Sequence, residues 1–89
     1  MPKANIFSIY RQNVTPALCR GARGVLGWSQ AELAQRIGVH RQVINHFERG
    51  LSVPHALTMR VMSEVFETGG VRFITTSAGE LGLVLAEPS

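Results

Sequence analysis

Residues 28–50, WSQAELAQRIGVHRQVINHFERG, decide the fold. Ser29 and Glu32 have the spacing of a capping box, in which each side chain bonds the backbone amide of the other, so they predict the start of a helix. Gly38 can adopt a positive φ at no steric cost and is expected to end that helix. Apolar residues three apart predict a second short helix over residues 41–48. The stretch is therefore expected to form two short helices joined by a tight turn.

The second of these helices is predicted to have an apolar face and a polar face. Ile44 and Phe47 would point into the core. The polar face is rich in side chains that pair with base edges, because Arg can form two hydrogen bonds with guanine, and Asn or Gln with adenine. It consists of Arg41, Gln42, Asn45, His46 and Arg49. Glu48, at its far end, is the only acidic residue expected on it.

An earlier helix is predicted to begin at Thr15, because Thr is a good N-cap and the following Pro16 suits the first helical position. It is expected to run to Leu26, before a glycine that can take the left-handed cap conformation. Its apolar face would contain Ala17, Leu18, Ala22, Val25 and Leu26. Gly21 and Gly24 each weaken a helix by roughly 1 kcal/mol relative to alanine, so a neighbouring helix is expected to approach them closely.

The remaining segments predict a fourth helix and a β-hairpin. Pro54 marks the approach to a helix that Gly69 and Gly70 would end. Its core-facing stripe is predicted to contain Leu57, Met59, Met62, Val65 and Phe66. Residues 71–75 and 81–86 are apolar or β-branched except for Arg72 and flank a turn-like segment, which predicts the hairpin. Since a two-stranded hairpin is marginal in water, it must pack on the helices, add an N-terminal strand or pair with a second chain.

The chain of 89 residues is expected to form one small globular domain, since 45% of its residues are hydrophobic and 17% charged. Residues 1–14 are predicted to be an N-terminal arm or a short strand. Residues 15–68 would form the helical domain, and residues 69–89 the hairpin, a possible dimerisation element. Residues 1–28 hold four basic and no acidic side chains, whereas residues 51–89 hold two basic and four acidic ones. A basic first half suits a polyanionic partner.

Several classes of protein are not expected. No apolar run reaches the roughly 18 residues of a membrane span, and the N-terminal apolar run is too short for a secretory signal. Cys19 is the only cysteine and cannot form an internal disulfide, so a reducing cytoplasm is the simplest location. The histidines have no zinc-site spacing, and the chain has no Asp and no phosphate loop. We therefore expect no catalytic residues, no metal, no cofactor and no enzymatic activity.

The stretch that decides the fold resembles the helix-turn-helix of the phage repressor and Cro-like family, the Xre family of bacterial regulators. The matching residues are Leu26-Gly27-Trp28-Ser29-Gln30, Glu32-Leu33-Ala34, Gly38-Val39, Ile44, Glu48-Arg49-Gly50, Pro54 and Thr58-Met59. The resemblance covers roughly residues 15–68. It implies a mainly α fold, a repressor-like bundle of four to five helices containing a helix-turn-helix, with the short C-terminal β-hairpin lying outside it.

The resemblance also implies roles for particular residues. The base-reading set would be Arg41, Gln42, Asn45 and His46. The residues along the DNA backbone would be Gln30, His40, Val43 and Arg49. Arg23 and Glu48 would form a structural ion pair between helix one, predicted over residues 15–26, and the end of helix three, predicted over residues 41–48. His40 stands where the family commonly has a capping Ser or Thr, so helix three would start less firmly or His40 would contact a phosphate. Val43 replaces a frequent Thr, and could meet a thymine methyl group or fill a gap.

The function predicted from the sequence is that of a transcriptional regulator, a dimer that binds a palindromic double-stranded DNA operator. Helix three would lie in the major groove of each half-site. An alternative from another class is a helix-turn-helix module that binds a protein, as an antitoxin or anti-activator does; the partner would be a toxin, an activator or RNA polymerase. A polar helix face is often merely solvated. A helix-turn-helix that no longer binds DNA would, however, show acids or bulky apolar residues on helix three. The polar face of this helix therefore favours DNA binding over a purely protein-binding role.

Overall fold

The computed structural model describes residues 14–86. Four helices, α1 Pro16–Leu26, α2 Gln30–Ile37, α3 Arg41–Glu48 and α4 Ala56–Gly69, precede two strands, β1 Val71–Thr75 and β2 Leu81–Leu85. The strands pair antiparallel with Phe73 opposite Leu83. The predicted mainly helical fold with a C-terminal hairpin is confirmed. The predicted N-terminal arm lies outside the described residues except for Val14, which is buried.

The boundaries of the first two helices follow from their capping residues. The Thr15 hydroxyl accepts a hydrogen bond from the Leu18 amide at 3.1 Å, ahead of Pro16 at the first helical position. Ser29 and Glu32 form the predicted capping box, with the two bonds measuring 3.0 and 2.7 Å. Gly27 and Gly38, the residues that follow α1 and α2, adopt left-handed conformations with φ of 73° and 94°. These local predictions are confirmed.

Histidines cap the two later helices. The Nδ1 atom of His40 accepts a hydrogen bond from the Gln42 amide at 3.1 Å at the start of α3. His55 does the same for the Leu57 amide at 3.4 Å, at the start of α4. A neutral imidazole offers one acceptor nitrogen, so it can replace the oxygen of a Ser or Thr cap. His40 is thus placed as the cap of α3.

The core lies between the helices and the inner face of the hairpin. Its fully buried side chains include Cys19, Ala22, Leu33, Ile44, Met62, Phe66 and Val71. The predicted apolar face of α1 was wrong at two positions, because Ala17 and Val25 are exposed. Leu57 was also misplaced, since 63% of it is exposed. The helical period of 3.6 residues fits more than one neighbouring apolar stripe on the same helix. Which stripe is buried therefore depends on the element that packs against the helix.

Aromatic side chains fasten the hairpin to the helices. Phe66 on α4 stacks on Trp28 with ring centroids 5.8 Å apart, and meets Phe73 on β1 edge to face at 5.5 Å. The Arg36 guanidinium lies 4.1 Å from the Trp28 ring centroid, a cation–π distance. Of the three ways to stabilise the hairpin that the sequence left open, packing on the helices is therefore observed.

The helical glycines of α1 do not meet a neighbouring helix. A Cβ atom at Gly21 would lie 3.4 Å from the Cδ2 atom of Leu83, so the neighbour is strand β2. Gly24 has open space around it. The expectation of a close helix–helix approach at both glycines was wrong, because α1 faces the hairpin at Gly21 and solvent at Gly24.

Candidate nucleic-acid interface

The α3 helix presents a polar face beside the start of α2. Arg41 and Gln42 are exposed, Asn45 and His46 are half-buried, and Arg49 is exposed directly after the helix. Val43 is half-buried. Ile44 and Phe47 are buried on the opposite side, as predicted. The structure thus brings the four predicted base-reading residues together on one outward-facing part of α3.

Glu48 does not belong to this face, although the sequence analysis placed it there. Its side chain is only 2% exposed and lies beneath α1. Both carboxylate oxygens bind Arg23, with 2.7 Å from Nε to Oε2 and 2.8 Å from Nη2 to Oε1. Since Glu48 is the only acid of α3, its burial leaves the exposed face of that helix without a negative charge.

Two further residues of α1 contact Glu48, and the sequence analysis missed both. The Cys19 thiol donates a hydrogen bond to Oε2 at 3.1 Å, and Arg20 donates to the backbone carbonyl at 2.6 Å. Arg23 also donates to the Trp28 carbonyl at 3.0 Å. Cys19, Arg20 and Arg23 fall within about one helical turn, which is the only sequence signal that groups them. The α1 helix therefore holds the end of α3 at several points.

These contacts set the charge state of the buried groups. Burial alone would raise the pKa of Glu48, but hydrogen bonds from Arg23, Cys19 and Gln30 outweigh it and hold that pKa below its usual value. The hydrogen bond to Glu48 raises the pKa of Arg23 further. Burial, followed by the hydrogen bond to Glu48 and its negative charge, raises the pKa of the Cys19 thiol. The cluster is an ionised Glu–Arg pair with a neutral thiol.

Gln30 connects this buried cluster to the polar face of α3. Its Nε2 atom donates to Oε1 of Glu48 at 3.1 Å. Its Oε1 atom accepts from Arg41 at 3.3 Å and from Asn45 at 3.4 Å. No side-chain hydrogen bond to another residue of the range 14–86 is found for Gln42, His46 or Arg49. Gln30 was expected at a phosphate, and the structure places its carboxamide between two helices.

In residues 14–86 no group of three His, Cys or Glu side chains could hold a metal ion. No helix in the same range is long and apolar enough to cross a membrane.

Two short helices, α2 and α3, are joined at Gly38, and the exposed polar face of α3 carries no acid; together they define a helix-turn-helix DNA-binding domain. Residues 22–71 match the profile of the family described as Helix-turn-helix, and the chain belongs to this family. The resemblance to the Xre and Cro-like helix-turn-helix is thereby confirmed, and the protein is a DNA-binding transcriptional regulator of that type. No curated protein matches the chain.

Proposed function

We propose that this regulator recognises a specific double-stranded DNA operator by inserting α3 into the major groove. The observation that carries the proposal is the composition of the exposed α3 face after Glu48 is buried. Its polar side chains are then all of kinds that hydrogen-bond to bases or attract phosphates: Arg41, Gln42, Asn45, His46 and Arg49. The first four read bases, because α3 directs them outward.

The residues at the edges of this face contact the DNA backbone. Arg49 follows α3 and is exposed, so its charge is available to a phosphate. Gln30 stands at the start of α2, where unbonded backbone amides attract anions. His40 and Val43 flank the base-reading residues, and the Val43 methyl groups suit a thymine methyl group or a sugar. Affinity that depends on several such phosphate contacts falls steeply as salt concentration rises.

Replacing Arg41 and Gln42 together with alanine tests this assignment. DNA selected from a random library by the wild-type protein serves as the probe. Two lost bidentate contacts at about 1–3 kcal/mol each lower specific affinity by at least about 30-fold. A matched control replaces Gln35 and Arg60, which are exposed on α2 and α4, and binds as the wild type does. If the Arg41→Ala/Gln42→Ala protein still selects the DNA sequence that the wild type selects, α3 does not recognise bases through these two residues.

A homodimer that pairs through β2 accounts for a palindromic operator. Leu81, Val84 and Leu85 are 47%, 41% and 50% exposed. Backbone bonds join Gly70 to Ala86 and Thr76 to Glu80. Hydrogen-bonded and non-hydrogen-bonded residues alternate along an antiparallel pair, so the backbone amides of residues 81, 83 and 85 point away from β1. Among residues 14–86 no third strand covers this edge. An apolar, uncovered edge is a template for a second strand.

Point variants test the dimer better than truncation, because removing the hairpin would strip Val71 and Phe73 from the core. Leu85→Glu places a charge on the β2 edge and is expected to give monomers in sedimentation analysis. Leu57→Glu is the matched control, since Leu57 is exposed at the start of α4. A dimer that survives Leu85→Glu and is lost in Leu57→Glu would place the interface on the helices.

One observation favours a second candidate function, binding to another protein. Leu51 and Val53 follow α3, and Leu57 lies in the first turn of α4; these three aliphatic side chains are 59%, 79% and 63% exposed. A toxin, an activator or RNA polymerase could bind such a surface. A gel-shift assay on DNA upstream of the protein's own gene separates the two functions, since the protein shifts that DNA only if it binds DNA. Both functions fit a reducing bacterial cytoplasm, with the DNA-bound protein at the nucleoid.

A further inference from the structure

We infer that Gln30 is a positioning residue that couples the buried Glu48 carboxylate to Asn45 and Arg41, and thereby makes Asn45 select adenine. The inference rests on the proposed function, because it assigns a base preference to the α3 face. It assigns the Gln30 side chain a role in base selection, beyond the backbone contact that the resemblance implies.

Glu48 determines the direction of the hydrogen bonds in this chain of contacts. An ionised carboxylate has no hydrogen to donate, so every neighbour must present a donor to it. Arg23 and Cys19 supply three of the four donors that surround it, at 2.7, 2.8 and 3.1 Å. Gln30 supplies the fourth at 3.1 Å. Burial of the Glu48 side chain at 2% exposure keeps water from replacing these donors.

The orientation of the Gln30 carboxamide follows from this requirement. A carboxamide has a donor end and an acceptor end, and its hydrogen-bond partners determine which end faces which way. Because Nε2 of Gln30 must face Glu48, its Oε1 atom faces α3. There it accepts from Arg41 at 3.3 Å and from Asn45 at 3.4 Å. Both residues of α3 are thus held by one oxygen before DNA binds.

The orientation of Asn45 follows in the same way. Its Nδ2 atom donates one hydrogen to Gln30, so its Oδ1 atom and the second hydrogen of Nδ2 remain for a ligand. An acceptor beside a donor matches the N6 amino group and N7 atom of adenine. Guanine presents two acceptors in the major groove and does not match. If the Gln30 carboxamide were reversed, it would bind Oδ1 of Asn45 instead of Nδ2, and both hydrogens of Nδ2 would be left for the DNA, which weakens the preference for adenine.

The first arm of the experiment uses the full chain without DNA. In ¹⁵N-labelled protein, the side-chain amide signals of Asn45 are compared between the wild type, Gln30→Met and Gln35→Met. Met has nearly the shape of Gln but no amide, and Gln35 is an exposed residue of the same helix. We expect the Asn45 side-chain hydrogens to exchange with water several-fold faster in Gln30→Met and at the wild-type rate in Gln35→Met. Unchanged exchange in Gln30→Met would overturn the inference.

The second arm selects DNA from a random library with the same three proteins. The position read by Asn45 is the one at which Asn45→Ala loses its preference. In the wild type we expect adenine there, and in Gln30→Met a preference for adenine weakened about tenfold, with the other positions retained. A uniform loss of affinity with an unchanged sequence would mean that Gln30 only contacts phosphate, and would overturn the inference.

Failure of the proposed function has a different signature. If the wild-type protein selects no sequence, the proposed operator binding fails, while the exchange rates of the first arm still decide whether Gln30 positions Asn45. Glu48→Gln extends the test, because its carboxamide can offer a donor to Gln30. If that variant folds, we expect it to lose the adenine preference; a retained preference would contradict the origin of the polarity at Glu48.

Discussion

The junction between α1 and α3 and the junction between α4 and β1 are held by different chemistry. At the first, Arg23, Cys19 and Gln30 donate hydrogen bonds to the buried Glu48. At the second, Phe66 packs between Trp28 and Phe73. Apolar burial depends on area and is nearly independent of direction, whereas a hydrogen bond depends on angle. The directional junction lies beside the residues proposed to read bases, whereas the aromatic junction holds the hairpin on the helices.

The largest effect is expected at the aromatic junction. Phe66→Ala removes a fully buried ring and should lower the free energy of unfolding by about 4 kcal/mol, most of the stability of a small domain. Urea denaturation followed by circular dichroism measures it. Leu57→Ala on the same helix is the control and should change stability by less than about 0.5 kcal/mol, because Leu57 is exposed. A similar loss in both variants would mean that the aromatic contacts are not what stabilises the hairpin.

At the polar junction, Glu48→Ala should cost about 3 kcal/mol, because it leaves Arg23 and Cys19 without their acceptor. The double variant Arg23→Met/Glu48→Leu should regain most of this stability, since apolar packing can replace a buried ion pair. It should not regain sequence-selective DNA binding, because Gln30 has no acceptor to orient it. Urea denaturation and selection from a DNA library separate the two quantities. Full selectivity in the double variant would show that packing alone positions α3.

The Cys19 thiol gives the polar junction a dependence on alkaline pH. Burial is the main cause that raises its pKa, so the folded protein keeps the thiol neutral while the unfolded chain ionises it above about pH 8.5. Its contribution to stability is therefore constant below that pH and is lost as the pH rises. Between pH 8 and pH 10 the wild type should lose about 2 kcal/mol more than Cys19→Ser, which does not titrate. Parallel stability curves from urea denaturation at several pH values would contradict a buried neutral thiol.

The smallest effects are expected at two helical glycines, and they should have opposite signs. Gly24→Ala should raise stability by about 0.5–1 kcal/mol, because alanine favours a helix and open space surrounds the position. Gly69→Ala should lower it, because the new Cβ would lie 2.8 Å from the Cη2 atom of Trp28 in the aromatic junction. Thermal unfolding measures both. A stabilised Gly69→Ala protein would show that Trp28 moves aside freely, and that the aromatic junction tolerates reshaping.

The sequence predicted most of the architecture, because its signals are local. The pairs Thr15–Pro16 and Ser29–Glu32 act within four residues, so the starts of α1 and α2 could be read directly. The change from helical spacing to β-branched residues after Gly70 predicted the hairpin in the same way. Placements that depend on a partner were less accurate. Val25 and Leu57 were assigned to the core and are exposed, because packing chose a different stripe on each helix.

Most of the residues that could face DNA were determined by the sequence alone, since α3 has one apolar stripe and its polar positions face outward, except for the buried Glu48. Only the tertiary structure decided how those residues are held. Gln30 and Glu48 are 18 residues apart, and Cys19 and Glu48 are 29 apart. Contacts across such separations depend on the angle at which helices cross and on which side chains that angle buries. The order of the residues along α3 was therefore enough to group them as an interface. The orientation of the Gln30 and Asn45 carboxamides, in contrast, could be inferred only from the packed structure.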